Sequence, residues 1–501
     1  MSVTERYGIF CSFFEKQLEE GMHLISGVCF LGLLLPINAG FIGVTHQNGG
    51  TVKDNLLKRM SSKSAEEVFQ TPGPNLDIPK PLLSLTPGTW AYDTMSRRIH
   101  EDILARTYDE NKEEFESPEF ETAKANFLAL KSELEKAADT PLTHLEETDA
   151  EDYPDWFRIL EPYVQNKDTW LSAPWMATEF YVYRRLLQAL GYFQKGGPTY
   201  MYDPFVKQKR AGLYTSPGSA EAVMSKVESL TDLPDQEEAC ALAAAFALWG
   251  NKMDLSIWPA DVSAATVDVF SNILANANDN LLHDDTDKLT KLCLSLLKNG
   301  GGRIDIIVDN AGFELVTDLA LADYLVASGI AKVVNFQLKK HPTFVSDALE
   351  KDLLETVEYY ANELSEEDYP ACKRAGQRWK SYLAENKWTC HENYFWVQPP
   401  AMWDMPQPLY EELQENCDLA FVKGDANYRR LLGDCEWDYT APFEDVVGAY
   451  FPCPVCALRT LKAEVGCGME AVQVERAKSL DDEWMVNGRF GVVHFGTGNK
   501  K

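Results

Sequence analysis

Positive charge is scarce in this chain. Its 501 residues carry 47 Lys and Arg against 77 Asp and Glu, a formal net charge of −30. Binding a nucleic-acid backbone needs a basic face, so this balance argues against nucleic acid as a direct ligand. Any anion site must be locally basic against the protein's own field. A disulfide framework is missing too. The 11 cysteines are odd in number and scattered, as in a reducing cytosol or nucleus. Cys453-Pro454-Val455-Cys456 is a lone C-x-x-C. A zinc site would need a second pair, so these read as packed thiols. No internal repeat stands out. The stretch before residue 22 is acidic at Glu15, Glu19 and Glu20, unlike the basic start of a signal peptide.

Charge of either sign is absent from residues 22–45. That length would span a bilayer, yet Gly27, Gly32, Pro36, Asn38, Gly40 and Gly43 interrupt it. Three readings compete: a membrane anchor, an apolar segment packed on the body, or an extension absent from the mature protein. Residues 47–85 are rich in Gly, Ser, Pro and Lys and read as a disordered linker. The expected organisation is an unassigned segment and linker over 1–80, a helical domain over 81–260 and an α/β catalytic domain over 261–501. Helical spacing is clear in Ala123, Phe127, Leu130 and Leu134, and again in Phe180, Tyr183, Leu186, Leu187 and Leu190.

The most informative stretch is Arg303 to Glu314. Ile304, Ile306, Ile307 and Val308 form an apolar, β-branched run that fits a strand buried on both faces of a parallel sheet. It ends in Asp309-Asn310 and then Gly312. Ligands of open α/β sheets sit just beyond the carboxyl ends of the strands, where such a pair can bind a hard cation. The alternative is a turn with a helix cap. Leu315, Leu319, Ala322, Leu325 and Val326 recur at helical spacing, Gly329 ends that helix, and Lys332 to Leu338 read as a second strand. This is a βαβ crossover. Asp347 follows the second strand. Adjacent strands lie about 4.8 Å apart, so Asp309, Asn310 and Asp347 can converge on one ion. Oxygen ligands suit Mg²⁺ or Mn²⁺ better than Zn²⁺.

A third apolar run, Leu419 to Val422, ends in Lys423-Gly424-Asp425-Ala426-Asn427-Tyr428-Arg429 and turns into a helix. Its donors and the helix start read as an anion site. Leu458-Arg459-Thr460-Leu461-Lys462 adds two cations. Singly, each basic group is more often a solvated surface charge. Together they suggest a phosphate-binding wall.

These residues resemble a family. Asp309 to Leu319 is similar to the signature of the "domain of unknown function 89" group, the metal-dependent damage-control phosphatases. Lys423 to Arg429 resembles the substrate-binding segment of its sugar-phosphate subfamily, and Arg459-Thr460-Leu461-Lys462 its Arg-Thr-x-Lys motif. Trp175 to Arg185 and Leu248 to Ser256 also look like family segments. The resemblance covers roughly residues 80 to 497, in order.

The resemblance implies a three-layer α/β/α Rossmann-like domain with an N-terminal helical domain and a site in the cleft between them. It implies a divalent metal, Mn²⁺ or Mg²⁺ with Co²⁺ or Ni²⁺ as alternatives, held by Asp309, Asn310 and Asp347. Asp309 is placed either to act as nucleophile through a covalent aspartyl-phosphate or to serve direct attack by water; direct attack is the preferred reading, with Asp309 or Asp347 as orienting base. Glu314, Asp425, Ala426, Asn427, Tyr428, Arg429 and Lys462 would line the substrate. Glu179, Asn251 and Asp254 are weaker rim candidates, with capping and buried polar contacts as the favoured alternatives. The implied substrates are fructose 1-phosphate and fructose 6-phosphate, and the implied role is metabolite damage control. The competing activity attached to relatives is S-adenosylmethionine-dependent protein-glutamate O-methylation. A methyltransferase of the common type shows a glycine-rich loop after its first strand, whereas Asp309 to Gly312 has one glycine.

Overall fold

The computed structural model describes residues 71–148, 150–253 and 279–500, with the backbone alone for 251–253. All belong to one unit, Phe69–Lys501. The apolar run 22–45 and Asp254 lie outside the described residues, and for Asn251 only the backbone is described.

Seven strands form one sheet: β1 (Leu281–Asp284), β2 (Gly302–Ile307), β3 (Ala331–Lys339), β4 (Trp388–Asn393), β5 (Leu419–Lys423), β6 (Val455–Thr460) and β7 (Gly491–Gly496). Their order is β1-β7-β6-β5-β2-β3-β4. From β6 to β4 all neighbours are parallel; β7 runs antiparallel to β6, and β1 is parallel to β7.

The sheet is buried on both faces because its central strands are apolar at nearly every position. Along β2 and its continuation, Ile304, Ile306 and Val308 join one core cluster and Ile307 the other. On β5, Leu419 and Phe421 face the first, Ala420 and Val422 the second. That is the period-two alternation of a strand. Full burial of each isoleucine contributes roughly 1.5–3 kcal/mol.

Helices supply both outer layers. Before the sheet come α1 (Glu121–Leu134), α2 (Tyr153–Asn166), α3 (Trp175–Ala189), α4 (Val206–Tyr214), α5 (Pro217–Leu230) and α6 (Gln236–Met253). Between and after the strands come α7 (Thr286–Lys298), α8 (Phe313–Ala327), α9 (Glu350–Glu358), α10 (Pro370–Ala384), α11 (Gln407–Asn416), α12 (Asp425–Leu431) and α13 (Ala471–Leu480). Side chains of α5 to α10 fill the first face, and those of α11 to α13 the second. The result is a three-layer α/β/α arrangement. Helices α1, α2 and α3 build a third cluster around Phe127, Trp156 and Phe180. Helices α6 and α8 approach closely: a Cβ on Gly250 would stand 2.0 Å from Thr317 Oγ1. Among the described residues no helix is long and apolar enough to cross a membrane.

One reading changes. Part of the stretch expected to be linker is tied to the body. Leu82 N donates to Asp434 O at 2.8 Å, Glu436 N to Lys80 O at 2.9 Å, and Trp175 N to Leu82 O at 2.8 Å. These are main-chain bonds, which composition does not reveal. The nine described cysteines are all free thiols, buried except for half-buried Cys390. Cys453 and Cys456 fall in different core clusters.

Candidate active site

From β2 the chain steps outward to β3 and β4; β5 and β6 lie on the other side of β2. The order therefore reverses between β2 and β5, and the carboxyl ends of the strands there are where ligands of open α/β sheets bind. Asp309, Asp347 and Asp425 follow β2, β3 and β5. The loops after β2 and β3 are stitched together: Ala311 N donates to Ser346 O at 2.7 Å and Ala348 N to Asp309 O at 2.8 Å. Asn310 and Asp347 face each other in an isolated antiparallel bridge.

The side chains converge within this frame. Asn310 Nδ2 donates to Asp309 Oδ2 at 3.0 Å and to Glu314 Oε2 at 2.9 Å. Ser346 Oγ donates to Asn310 Oδ1 at 2.5 Å. Asp309 is 5% exposed, and its Oδ1 is buried with no hydrogen-bond partner among the described residues. Asp347 is 1% exposed; Lys339 Nζ lies 3.1 Å from its Oδ2, at ion-pair distance without hydrogen-bond alignment. Burial pushes the Asp309 carboxyl well above the usual range, and the negative charges of Asp347 and Glu314 push the same way; Lys339 and Lys462 oppose them. Burial also raises Asp347, against the pull of Lys339. Gly424, at φ +81°, admits this packing: a Cβ there would lie 1.8 Å from Asp309 Oδ2.

The basic groups divide sharply. Lys423 is buried and pairs with Asp318 at 2.9 Å while donating to Ala247 O. Arg429, expected to present a cation to substrate, is 3% exposed and fully engaged. It pairs with Asp434 at 2.8 Å and with Glu179 at 2.7 Å, and stacks 3.6 Å from the centroid of Trp175. Arg459 braces its own loop, donating to Asp425 Oδ1 at 2.7 Å and to the carbonyls of Val465 and Ala463. Lys462 is different. It stands in a loop after β6, half-buried, and among the described residues its Nζ forms no ion pair. Its backbone N donates to Asp425 Oδ1 at 3.0 Å. Asn427 accepts from Lys339 at 3.0 Å and donates to Val308 O at 3.1 Å. The Tyr428 hydroxyl is buried 3.1 Å from His494 Nδ1. Ala426 is half-buried in the first turn of α12.

The profile of the damage-control phosphatase ARMT1-like domain matches residues 93–477. A protein of Danio rerio named damage-control phosphatase ARMT1 is 32% identical, covering 84% of this chain and 98% of that protein. The Mus musculus protein of the same name is 33% identical, covering 81% and 96%. The chain belongs to the damage-control phosphatase ARMT1-like family. The Homo sapiens member is 32% identical over 83% of this chain and 98% of its own. A solved structure of a DUF89 family protein from Pyrococcus horikoshii is similar at a TM-score of 0.40 and 16% identity, covering 80% of this chain and 98% of that one.

Damage-control phosphatases generally depend on a divalent metal. Among the described residues no three His, Cys, Asp or Glu side chains form a ready ligand group. The converging set is instead two carboxylates and an amide, Asp309, Asp347 and Asn310. These residues fit a hard divalent ion. All three offer oxygen, and the buried, unpartnered Asp309 Oδ1 is an atom that such an ion would satisfy.

Three contributors to this candidate site escaped sequence reasoning. Lys339 bridges Asp347 and Asn427. Ser346 holds the Asn310 amide. Asp318 occupies Lys423. The position of Lys339 at the end of β3, in the layer of Asp309, was the only available signal.

Proposed function

We propose that this chain hydrolyses phosphomonoesters of small sugars, fructose 1-phosphate and fructose 6-phosphate, with a divalent metal, Mn²⁺ or Mg²⁺ and alternatively Co²⁺ or Ni²⁺. The observation that carries this reading is Asp309 Oδ1: buried, unpartnered and beside two further carboxylates. Phosphomonoester hydrolysis is among the slowest uncatalysed reactions, and its transition state spreads charge over the equatorial oxygens. When bound, a divalent ion supplies Lewis acidity toward the phosphoryl group. Asp309, Asn310 and Asp347 would hold it. Lys462, whose Nζ forms no ion pair among the described residues, neutralises charge on the transferred group. Arg459 and Asp425 fix the backbone of Lys462, which sets where its flexible stem begins. Asp309 or Asp347, at the carboxyl ends of β2 and β3, would orient the attacking water and take its proton. Glu314, joined to Asp309 through the Asn310 amide, orders that amide. The scattered free thiols support a cytosolic or nuclear setting.

Protein-glutamate methylation is not favoured, because the loop after β2 has one glycine and its acidic residues turn inward on one another. A panel of phosphate esters assayed with Mg²⁺, Mn²⁺, Co²⁺ and Ni²⁺, before and after chelation, tests the proposal. Sugar phosphates should be cleaved only with metal, and Asp309→Ala or Asp347→Ala should abolish turnover in a folded protein. Hydrolysis indifferent to chelation, or none on any ester, refutes the reading.

A further inference from the structure

Past β3 the chain makes a turn that the chemistry above does not use. Phe344 and Val345 both have positive φ, 45° and 66°. For a β-branched residue this is a genuine outlier. Ser346 N donates to Phe344 O at 2.7 Å, closing a three-residue γ-turn centred on Val345. The positive-φ form of that turn is the rare and strained one. Strain of this kind persists only where the surroundings over-determine it.

Those surroundings are aromatic. The Phe344 ring meets Phe180 edge-on with centroids 4.7 Å apart, and lies 5.0 Å from Tyr183. Both partners come from α3, and Phe344 and Val345 pack together against the third core cluster. In the other direction, the turn delivers its next two residues into the site. Ser346 bonds Asn310 through its hydroxyl and Ala311 through its carbonyl, and Asp347 faces Asn310.

We propose that Phe344 is a positioning residue for the metal centre. Helix α3 holds its ring, the ring holds the γ-turn, and the turn sets where Asp347 and Asn310 stand. The inference rests on the metal reading of Asp309, Asn310 and Asp347. It gives α3 a specific part in the chemistry. Without touching the ion, its aromatic face orders the ligands before the ion arrives. Groups that orient metal ligands typically influence affinity about 10- to 100-fold.

The test uses the full chain. Mn²⁺ binding is measured by calorimetry without substrate, and kcat and KM are measured separately on fructose 1-phosphate. Phe344→Ala should weaken Mn²⁺ binding about tenfold or more. It should lower kcat more than it raises KM. Hydrogen exchange at the amides of Ser346 and Ala348 should quicken. Phe344→Leu should restore most of the affinity. Phe180→Ala should reproduce the defect, and the double alanine variant should add little to either single one. Phe344→Ala with wild-type Mn²⁺ affinity and kcat, however far its Tm drops, reduces Phe344 to ordinary packing and overturns the proposal. If that variant does not fold, unchanged affinity in both Phe344→Leu and Phe180→Ala overturns it equally. A wild-type chain that binds no Mn²⁺ fails earlier, and that failure belongs to the reading of the site.

Discussion

Replacing Gly424 by alanine puts one methyl group where the site has no room. The Cβ would lie 1.8 Å from Asp309 Oδ2, 2.2 Å from its Cγ and 2.6 Å from its Cβ, where real contacts are not found under 3.0 Å. The carboxylate must then retreat by roughly 1 Å, a misplacement that can cost about 10²-fold in rate. The backbone of Gly424, at φ 81° and ψ 176°, lies in a region essentially reserved for glycine and adds about 1–3 kcal/mol for an L side chain, and overpacking typically adds about 1–3 kcal/mol. Stability should therefore fall by roughly 2–6 kcal/mol. Gly218 is the control. It lies in α5 at ordinary φ, with nothing within 4 Å of where an added methyl would sit, so Gly218→Ala should be neutral or stabilising by about 0.4–1 kcal/mol. Urea unfolding measures the stability, and steady-state kinetics with Mn²⁺ titration measures the site. Gly424→Ala with wild-type kcat/KM and Mn²⁺ affinity would refute both the crowding argument and the placing of Asp309 at the reacting centre.

Lys462→Met keeps the apolar stem and removes the charge, so kcat on fructose 1-phosphate should fall by about 10²–10³ with a smaller change in KM; wild-type kinetics would return Lys462 to the surface. Burial lowers His341 to about 4 and His494 to about 3, both below the ordinary 6.5, so the unfolded chain binds more protons in between. Their stabilisation is complete above pH ~6.5 and is lost as pH falls toward the folded values, by up to ~1.4 kcal/mol per pH unit for each; His341→Gln should flatten the acid limb of urea-unfolding curves recorded from pH 4 to 8. Removing residues 1–70 should leave a folded, active enzyme, whereas removing 1–85 also cuts the main-chain bonds at Lys80 and Leu82 and should lower Tm; equal Tm in the two truncations would show those bonds to be dispensable.

The convergence of Asp309, Asn310 and Asp347 was legible because it follows from local rules. Apolar runs mark parallel central strands, and polar residues just past their ends must meet at one edge of the sheet. Strands β1 and β4 were not legible. Trp388-Thr-Cys-His-Glu-Asn is an edge strand with polar, half-exposed positions, and β1 has only four residues, so neither carries a clean apolar signal. The cations failed for a different reason. Arg429 looks free until Glu179, 250 positions earlier, is folded against it. No spacing rule links those two residues. Of the expected phosphate wall, Lys462 keeps an uncommitted charge because its neighbours Arg459 and Asp425 neutralise each other.

The thiols have a practical corollary. Burial raises Cys390, Cys435 and Cys467 to about 12, so each is almost entirely protonated at neutral pH, and only the thiolate reacts with alkylating reagents. A labelling reagent must therefore wait for the chain to open. Because the nine described cysteines are distributed between the two faces of the sheet, the order in which they become modified amounts to a site-resolved clock of breathing motions, read by mass spectrometry without any engineered probe.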